Sequence, residues 1–378
     1  MRLTYVYDAP MPDRGADTEQ VINTVAALAR RGVDLALLIP GPVTGRADPA
    51  PLLQYYQVRG DFALWHLAHR YRAPRPAAKW SHALRAPGHP ASRQADLVYT
   101  RNLPAVFTHL RRGRPVVYEH FRPWGDQFPV LRPWLRYLLT HPRLVACVFH
   151  SEHTRRSFLR LGVPPERVLV AHNGWDPRRL EPRLTRAEAR ARLGLAADRP
   201  ICVYTGRINR AKGLDVLLAA ARDCPEACFV LVGSEGEGAM EAEARTLPNT
   251  LVVPWQRFGD LAPWLYAADV LVIPPSLAPL ERHGNTVLPL KLFLYLAAGR
   301  AILAPRAPDT AELLVDGVNA ALVPPGDPAA ALAELRRLFA DPGRARRLGE
   351  AAWQTAQALT WDARAERIEA FLRDRIGR

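Results

Sequence analysis

The sequence predicts an α/β protein with two parallel-sheet domains. Short apolar runs that suit interior strands alternate with segments of helical periodicity along the whole chain, and this alternation is typical of parallel sheets covered by helices. The chain has 378 residues, which is long for one domain and comfortable for two that each bury a core. A polar, proline-punctuated stretch within 177–200 separates two sets of strands. We therefore expect domains at 1–180 and 181–358, followed by a terminal helix at 359–378.

Each half supplies the strands of one predicted sheet. In the first half they fall at 3–7, 35–40, 97–100, 115–119, 146–150 and 168–171. In the second half they fall at 201–205, 229–232, 251–253, 270–273, 301–304 and 320–323. Helices are predicted at 19–31, 103–112 and 154–161 and, near the end of the chain, at 329–340, 343–358 and 363–376.

Positive charge is concentrated in the first half. The net charge is +14, and residues 1–180 carry 26 Lys and Arg against 13 Asp and Glu. Within this half, 62–85 and 121–144 interleave aromatic residues with arginines. That pattern suits an anionic bilayer surface, and it also suits nucleic acid, where aromatic rings stack on bases. A general preference for arginine, with the aromatic residues in the core, explains the pattern equally well.

Other global features narrow the class of protein. No apolar run approaches the ~18–20 residues of a membrane span, and the first residues run directly into a strand without a secretory signal pattern. The cysteines lack the paired spacing of a zinc site, and we expect all of them to be reduced thiols. They are Cys147, Cys202, Cys224 and Cys228. These observations favour a cytoplasmic protein.

Residues 200–215 carry the most informative local pattern. A buried-strand run is followed by Gly206, which permits a tight turn, then by Arg207 and Lys212, and a helical run begins at Leu214. Two cations at the carboxyl end of a strand, beside a helix start, suit a diphosphate in the crevice where open α/β sheets bind ligands. Taken alone, the segment fits two solvated surface cations equally well.

This segment resembles the GR…KG stretch of retaining glycosyltransferases of the GT-B type, in the "glycosyl transferases group 1" (family four) class. Further stretches match that family in the same order. They are HNGWD at 172–176, FVLVGSEGEG at 229–238, AADVLVIPPS at 267–276, PLKLFLYLAAGRAILAP at 289–305 and LLVDGVNAALVPPGD at 313–327. The resemblance implies two Rossmann-like domains facing an interdomain cleft, with a terminal helix that crosses back to the first domain.

The resemblance also implies a donor site in the second domain. Arg207 and Lys212 would neutralise the leaving diphosphate, since charge that develops in the transition state is where binding energy accelerates a reaction. The remaining residues assigned to the donor are turn glycines, side-chain donors near a helix start, and one further cation. They are Gly206, Gly233, Asn285, Thr286 and Lys291. Backbone amides at the start of the helix expected near 285–289 would face the anionic oxygens of the donor diphosphate.

One departure from the family concerns the nucleotide ribose. The family often carries two glutamates eight positions apart, of which the later binds the ribose hydroxyls. Counted from Gly299, these positions hold Thr286 and Leu294, neither of which is acidic. Glu281 lies five residues too far from Gly299 to match, although a shifted loop would bring it to the sugar.

In the first domain the resemblance assigns residues near the acceptor. Gly15 lies between the first strand and the first helix, where donor and acceptor approach. His120 ends a strand and resembles a histidine that contacts the transferred sugar, with Glu119 as the alternative polar group at the same sheet edge. Asn173 belongs to the motif that shapes the cleft. Each strand-end residue also has an ordinary structural interpretation.

The function implied is transfer of a sugar from a nucleotide-diphosphate donor to a hydroxyl acceptor, with retention, in the assembly of cell-surface polysaccharide or glycolipid. The resemblance implies no metal and no cofactor besides the donor substrate. Predicted partners are a nucleotide sugar, a glycan or lipid-linked acceptor and an anionic membrane surface at the inner face of the cell membrane. The alternatives are a nucleotide-sugar-binding homologue with impaired catalysis and, on the basic first half alone, a nucleic-acid-binding protein.

Overall fold

The chain divides into two compact units in a computed structural model that describes residues 1–68, 75–236, 238–276 and 288–376. The first unit comprises Met1–Gly174 with Trp361–Arg378, and the second comprises Trp175–Thr360. The chain thus leaves the first unit directly after Asn173 and Gly174 and returns to it at the start of the last helix. The acceptor and donor roles expected for the two domains stay predictions.

The first unit is built on an eight-stranded sheet with the order β3-β4-β2-β1-β5-β6-β7-β8. All neighbouring strands are parallel except β3, which runs antiparallel to β4. The strands are β1 (Arg2–Val6), β2 (Asp34–Gly41), β3 (Gly45–Ala47), β4 (Ala63–Ala68), β5 (Leu97–Thr100), β6 (Val116–His120), β7 (Leu144–Phe149) and β8 (Val168–Val170). The central strands are buried along nearly their whole length, which explains why they appear in the sequence as continuous apolar runs.

Helices occupy most of the connections between these strands. They are α1 (Ala16–Arg30), α2 (Ala50–Tyr56), α3 (Arg75–Arg85), α4 (Pro90–Gln94), α5 (Leu103–Arg111), α6 (Trp124–Gln127), α7 (Arg132–Leu139) and α8 (Glu152–Leu159). One core cluster of this unit contains Tyr118, Phe149 and Phe158, which lie between the sheet and the helices that follow β6 and β7.

The second unit is built on a six-stranded parallel sheet with the order β11-β10-β9-β12-β13-β14. Its strands are β9 (Ile201–Thr205), β10 (Cys228–Ser234), β11 (Thr250–Pro254), β12 (Val270–Val272), β13 (Ala301–Pro305) and β14 (Ala321–Val323). Its helices are α9 (Arg186–Leu193), α10 (Leu214–Arg222), α11 (Ala239–Arg245), α12 (Ala262–Ala267), α13 (Leu290–Ala298), α14 (Pro328–Ala340) and α15 (Pro342–Ala356). Two core clusters cover the two faces of this sheet.

The last helix, α16 (Trp361–Ile376), belongs to the first unit, as the resemblance implied. It is held against α1 by ion pairs. Arg30 Nε donates to Asp362 at 2.9 Å, and Arg31 Nε donates to Glu369 at 2.6 Å. The buried Arg364 of the same helix reaches further, to the sheet itself.

The predicted strands all exist, with ends within a few residues of those expected, so the two-sheet prediction is confirmed. Two further strands, β3 and β4, were missed. The β4 segment contains Trp65 and His66 and lies in the stretch interpreted as a mixture of aromatic residues and arginines. It pairs with β2 and thereby extends the sheet. None of the described helices is long and apolar enough to cross a membrane.

Candidate active site

In the second unit, two glycines bring the ends of β9 and β10 into close contact. Gly206 and Gly233 have φ values of 130° and 128°, a conformation that favours glycine. A Cβ atom on Gly233 would lie 2.4 Å from the carbonyl oxygen of Gly206, so no other residue fits there. The Gly206 amide donates to the carbonyl of Val232 at 2.8 Å. The two turns therefore form one continuous backbone surface at the carboxyl edge of the sheet.

The two predicted cations follow this glycine turn. Arg207 is 53% exposed, and its Nε lies 3.4 Å from a carboxylate oxygen of Glu235. Lys212 is exposed and ends a short 3₁₀ turn, after which Gly213, with φ of 78°, leads into α10. The structure thus places both side chains at the strand end expected from the sequence. Their role in binding a diphosphate stays a prediction.

Lys291, from the first turn of α13, reaches the same place. Its ammonium lies 3.6 Å from the centre of the Tyr204 ring, in a cation–π contact. A Cβ on Gly206 would stand 2.9 Å from that nitrogen, so the glycine also makes room for the lysine. Burial, together with the nearby charge of Lys212, holds the pKa of Lys291 well below its usual range. The chain contains only three lysines, and two of them meet at this turn.

Helix α13 also carries the residue that replaces the ribose-binding glutamate. Leu294 is 6% exposed and packs in the core of the second unit. A glutamate at this position would need a polar partner, since an unpaired buried carboxylate is costly. The predicted donor residues Glu281, Asn285 and Thr286 lie outside the described residues.

In the first unit, Glu119 near the end of β6 is the centre of a buried hydrogen-bond network. Its Oε2 accepts from the Tyr5 hydroxyl at 2.9 Å, and its Oε1 accepts from Gln20 Nε2 at 2.7 Å. Oε1 also lies 2.7 Å from His150 Nε2 and accepts from Arg364 Nη2. The carboxylate is fully buried. One side chain therefore joins strands β1, β6 and β7 to α1 and to the terminal helix.

The network sets the protonation of its members. Burial by itself would raise the pKa of Glu119, but the charge of Arg364 and the hydrogen bond from His150 outweigh it and hold that pKa well below its usual range. Burial lowers the pKa of His150 to about 4, against the opposing effect of Glu119. At neutral pH the pair therefore consists of an ionised carboxylate and a neutral imidazole.

His120 points to the opposite face of the sheet from Glu119, because successive strand residues alternate in direction. Its buried ring stacks on Tyr118 with centroids 5.5 Å apart and meets the edge of Trp124 at 4.5 Å. Neither ring nitrogen has a hydrogen-bond partner among the described residues. Burial is the largest of the effects that hold the pKa of His120 well below its usual range. The catalytic role assigned to His120 stays a prediction.

The other two predicted residues of the first unit lie at turns that follow strands. Gly15 precedes α1, and its amide donates to Asp13 Oδ1 at 2.6 Å, while a Cβ there would lie 2.5 Å from Asp17 Oδ1. Asn173 follows β8 and is 5% exposed, and its Nδ2 lies 3.3 Å from His150 Nδ1. The structure brings Asn173 into contact with the Glu119 network.

Sequence reasoning missed His150 and Arg364 and gave Glu119 only as an alternative. The available signal was a set of polar residues in apolar surroundings: Glu119 and His150 at strand ends, and an arginine on the inner face of the last helix. No spacing rule joins these positions. Among the described residues, no group of three or more His, Cys, Asp or Glu side chains could hold a metal ion.

Solved structures share this architecture over nearly the whole chain. Sucrose-phosphate synthase from Thermosynechococcus elongatus aligns with a TM-score of 0.79 at 20% identity, covering 98% of both chains. HepE of Anabaena, in complex with UDP and glucose, aligns with a TM-score of 0.74 at 16% identity, covering 99% of both. Two parallel-sheet units with a terminal helix that returns to the first define the GT-B glycosyltransferase fold.

Sequence families agree with the fold. Residues 199–341 match the group 1 glycosyl transferases, and residues 18–179 match glycosyltransferase family 4. The chain belongs to this group 1, family 4 class of glycosyltransferases. It is 33% identical over 237 residues to a D-inositol 3-phosphate glycosyltransferase of Streptomyces bingchenggensis, a match that covers 56% of this chain. The chain spans about half the length of such relatives.

Proposed function

We propose that this glycosyltransferase moves a sugar from a nucleoside-diphosphate donor to a hydroxyl acceptor with retention of configuration. The observation that carries the proposal is the gathering of Arg207, Lys212 and Lys291 around the Gly206 turn. Arg207 lies beside Glu235, a carboxylate that is itself partly exposed. A turn of this kind offers several positive charges to an anion.

The chemistry asked of this turn is stabilisation of the leaving diphosphate. Breaking the glycosidic bond adds negative charge to the diphosphate, and fixed cations stabilise that charge more in the transition state than in the ground state. The ion pair between Arg207 and Glu235 is exposed on both sides. Such pairs are worth about 0–1 kcal/mol, so a phosphate can replace Glu235 at little cost.

The proposed base and sugar of the donor are drawn from proteins to which this chain is similar. The Anabaena structure with UDP and glucose supports a uridine nucleotide sugar as the first donor to test. The D-inositol 3-phosphate glycosyltransferases support a polyhydroxyl acceptor, and a glycan or lipid-linked acceptor in polysaccharide or glycolipid assembly belongs to the same proposal.

A membrane surface is the proposed location of that acceptor. Helix α7 buries its leucines and exposes Arg136 and Tyr137, and the turn before it exposes Phe128 and Val130. Aromatic and aliphatic side chains beside arginines suit the headgroup region of an anionic bilayer. Sedimentation with anionic and neutral vesicles tests this location, and equal absence from both pellets would contradict it.

The second candidate function is a homologue that binds nucleotide sugars without efficient transfer. Leu294 favours it, because an apolar, buried side chain cannot accept hydrogen bonds from ribose. Hydrolysis of the donor separates the two candidates, since an active transferase slowly transfers sugar to water. Donor binding without any hydrolysis or transfer would select the impaired homologue.

The test of the proposed function uses Arg207→Ala and Lys212→Ala. Donor choice comes first, from a panel of nucleotide sugars screened for thermal stabilisation. Each variant is expected to lower turnover by orders of magnitude with an unchanged circular dichroism spectrum, since one charged hydrogen bond to a phosphate is worth roughly 1.5–3 kcal/mol. Arg222→Ala is the matched control, because Arg222 is also an exposed arginine paired with a glutamate, Glu243. Full activity in both test variants would reject the diphosphate site.

A further inference from the structure

We infer that Tyr204 is a positioning residue of the proposed diphosphate site, because its hydroxyl group fixes the backbone of Arg207 and its ring fixes the ammonium group of Lys291. The inference rests on the proposed function and adds a residue to it. Tyr204 lies in the core of the second unit and would act on an anion only through these two cationic residues.

The side chain of Tyr204 is held in place by the packing around it. It is fully buried at the end of β9 and belongs to a core cluster that also contains Ile208 and Leu214. The first of these follows Arg207 in the turn, and the second begins α10. A side chain enclosed at the density of a protein interior moves only if its neighbours move too. The hydroxyl group and the ring are therefore fixed points beneath the turn.

The hydroxyl group of Tyr204 holds the turn itself. It donates to the carbonyl oxygen of Arg207, three residues further along the chain, at 2.8 Å. Between the two residues, Gly206 donates its amide to the carbonyl of Val232. The backbone is thus bonded on both sides of the point from which the Arg207 side chain projects.

The ring of Tyr204 holds the lysine. Lys291 Nζ lies 3.6 Å from the centre of the ring. The negative face of an aromatic ring attracts an ammonium group and favours the charged form of the amine, which is the form that attracts an anion. Because the lysine charge stands at the end of a flexible four-carbon chain, a fixed ring face restricts where that charge lies. The same nitrogen lies close to Gly206, so the ammonium group contacts both the ring and the turn.

The helix that carries Lys291 is placed by a different tyrosine. Tyr295, one turn further along α13, is fully buried and accepts a hydrogen bond from the Thr205 amide at 2.8 Å. This bond does not involve Tyr204. Substitution of Tyr204 is therefore expected to release the ammonium group while α13 stays in place, which separates a positioning role from a role in holding the helix.

The first measurement is the NMR spectrum of the protein isotopically labelled in its lysines, which needs no enzymatic activity. The chain contains three lysines, so the signal of Lys291 is assigned by its loss in Lys291→Met. The face of an aromatic ring shifts nearby protons upfield, and we expect this shift for the protons beside Lys291 Nζ. Tyr204→Phe should keep the shift, and Tyr204→Leu should remove it. An unshifted Lys291 signal in the unaltered chain, or one indifferent to Tyr204→Leu, would overturn the inference.

The second measurement is the affinity for UDP and for inorganic pyrophosphate, determined by calorimetry. Tyr204→Phe retains the ring and removes the hydrogen bond to Arg207, so we expect it to weaken binding about fivefold. Tyr204→Leu also removes the ring, and we expect it to weaken binding about fivefold more. This second step should vanish when Lys291→Met is present in both variants, since the double-mutant cycle isolates the coupling between the ring and the lysine. A second step that persists would show that the ring acts through packing alone, and would overturn the contact with Lys291.

Tyr266→Phe is the matched control. Tyr266, on α12, is another buried tyrosine of the second unit, and its hydroxyl group donates to the carbonyl oxygen of Leu180 at 2.7 Å. Tyr204→Phe and Tyr266→Phe each remove one hydroxyl-to-carbonyl bond, so similar losses of unfolding free energy are expected. Only Tyr204→Phe should weaken the binding of UDP and pyrophosphate. Equal affinities in the two variants would overturn the role of the Tyr204 hydroxyl group.

The outcomes separate this inference from the proposed function. If Arg207→Ala weakens the binding of UDP and pyrophosphate while Tyr204→Phe and Tyr204→Leu leave it unchanged, the role of Tyr204 alone is overturned. If the unaltered chain binds neither ligand, the proposed diphosphate site and the positioning role are overturned together.

Discussion

The carboxyl edges of the two sheets differ in how they treat charge. At the edge of the first unit, Glu119 is buried and surrounded by donors from four other elements. At the edge of the second unit, Arg207, Lys212 and Lys291 gather around the Gly206 turn, where Arg207 lies beside the exposed Glu235. The first edge thus centres on a buried carboxylate, while the second brings three cationic side chains together.

The two arrangements are expected to respond differently to mutation. A closed network holds side chains in one orientation and makes them sensitive to the loss of any member. A group of cations at the end of a strand attracts anions. The first unit is therefore expected to respond to mutation mainly in stability and geometry, and the second mainly in ligand binding.

The largest loss of stability is expected when the Glu119 network loses its buried arginine. Arg364→Met leaves Glu119 buried without its cation, and removing one partner of a buried pair costs about 3–5 kcal/mol of unfolding free energy. Urea denaturation followed by circular dichroism measures the loss.

The matched control lies one turn along the same helix. Arg367 is exposed and donates to the Val170 carbonyl at 2.7 Å, so Arg367→Met is expected to cost less than about 1 kcal/mol. In the second unit, Arg207→Met is expected to change the free energy of unfolding by less than about 0.5 kcal/mol. Equal losses in Arg364→Met and Arg367→Met would show that Glu119 does not depend on its arginine.

A smaller loss of stability for each residue is expected when the pH is lowered. His109 and His150 both have pKa values lowered to about 4, so between that pH and their ordinary value near 6.5 the unfolded chain binds more protons than the folded one. Stability then falls as the pH falls through this window, by up to about 3 kcal/mol for each histidine. Below the ordinary pKa of a glutamate, Glu119 adds a loss of the same sign.

Acid should act on the first unit, because every histidine except His283 precedes residue 175. Urea titrations at pH 7, 6 and 5 measure the slope, and tryptophan and amide NMR signals assign it to a unit. His109→Gln should remove its own share of the slope and leave that of His150. Stability that is flat from pH 7 to pH 4.5 would contradict the buried, neutral state of both rings.

The fold was predictable because its signals are local. Interior parallel strands bury both faces, so runs such as Ile201–Thr205 and Leu97–Thr100 appear as continuous apolar segments bounded by turn residues. The edge strand β3 and its neighbour β4 have no such signature. Their residues are half exposed, and Trp65 and His66 there resemble the aromatic and basic composition of the surrounding surface.

The residues of the two candidate sites were predictable to very different degrees, because only one of the sites lies within a single short segment of the chain. Gly206, Arg207 and Lys212 lie within one strand–turn–helix segment, so spacing alone brings them together. Glu119 and Arg364 are 245 positions apart and meet only because the last helix returns to the first unit. No local pattern encodes that pairing.

The smallest predicted effect concerns Lys291 in the second unit. Lys291 has its pKa held well below the usual range by burial and by Lys212, and a bound diphosphate would favour its charged form. Binding of UDP is therefore expected to take up a proton and to weaken as the pH rises through the pKa of the free lysine. Lys291→Met should weaken UDP binding about tenfold, or ~1.5 kcal/mol, and abolish the proton uptake. Calorimetry in two buffers of different ionisation enthalpy measures both quantities.

Lys79→Met is the control, since Lys79 is the third lysine of the chain and pairs with Asp8 in the first unit at 2.9 Å. Proton uptake that persists in Lys291→Met would assign the titrating group elsewhere.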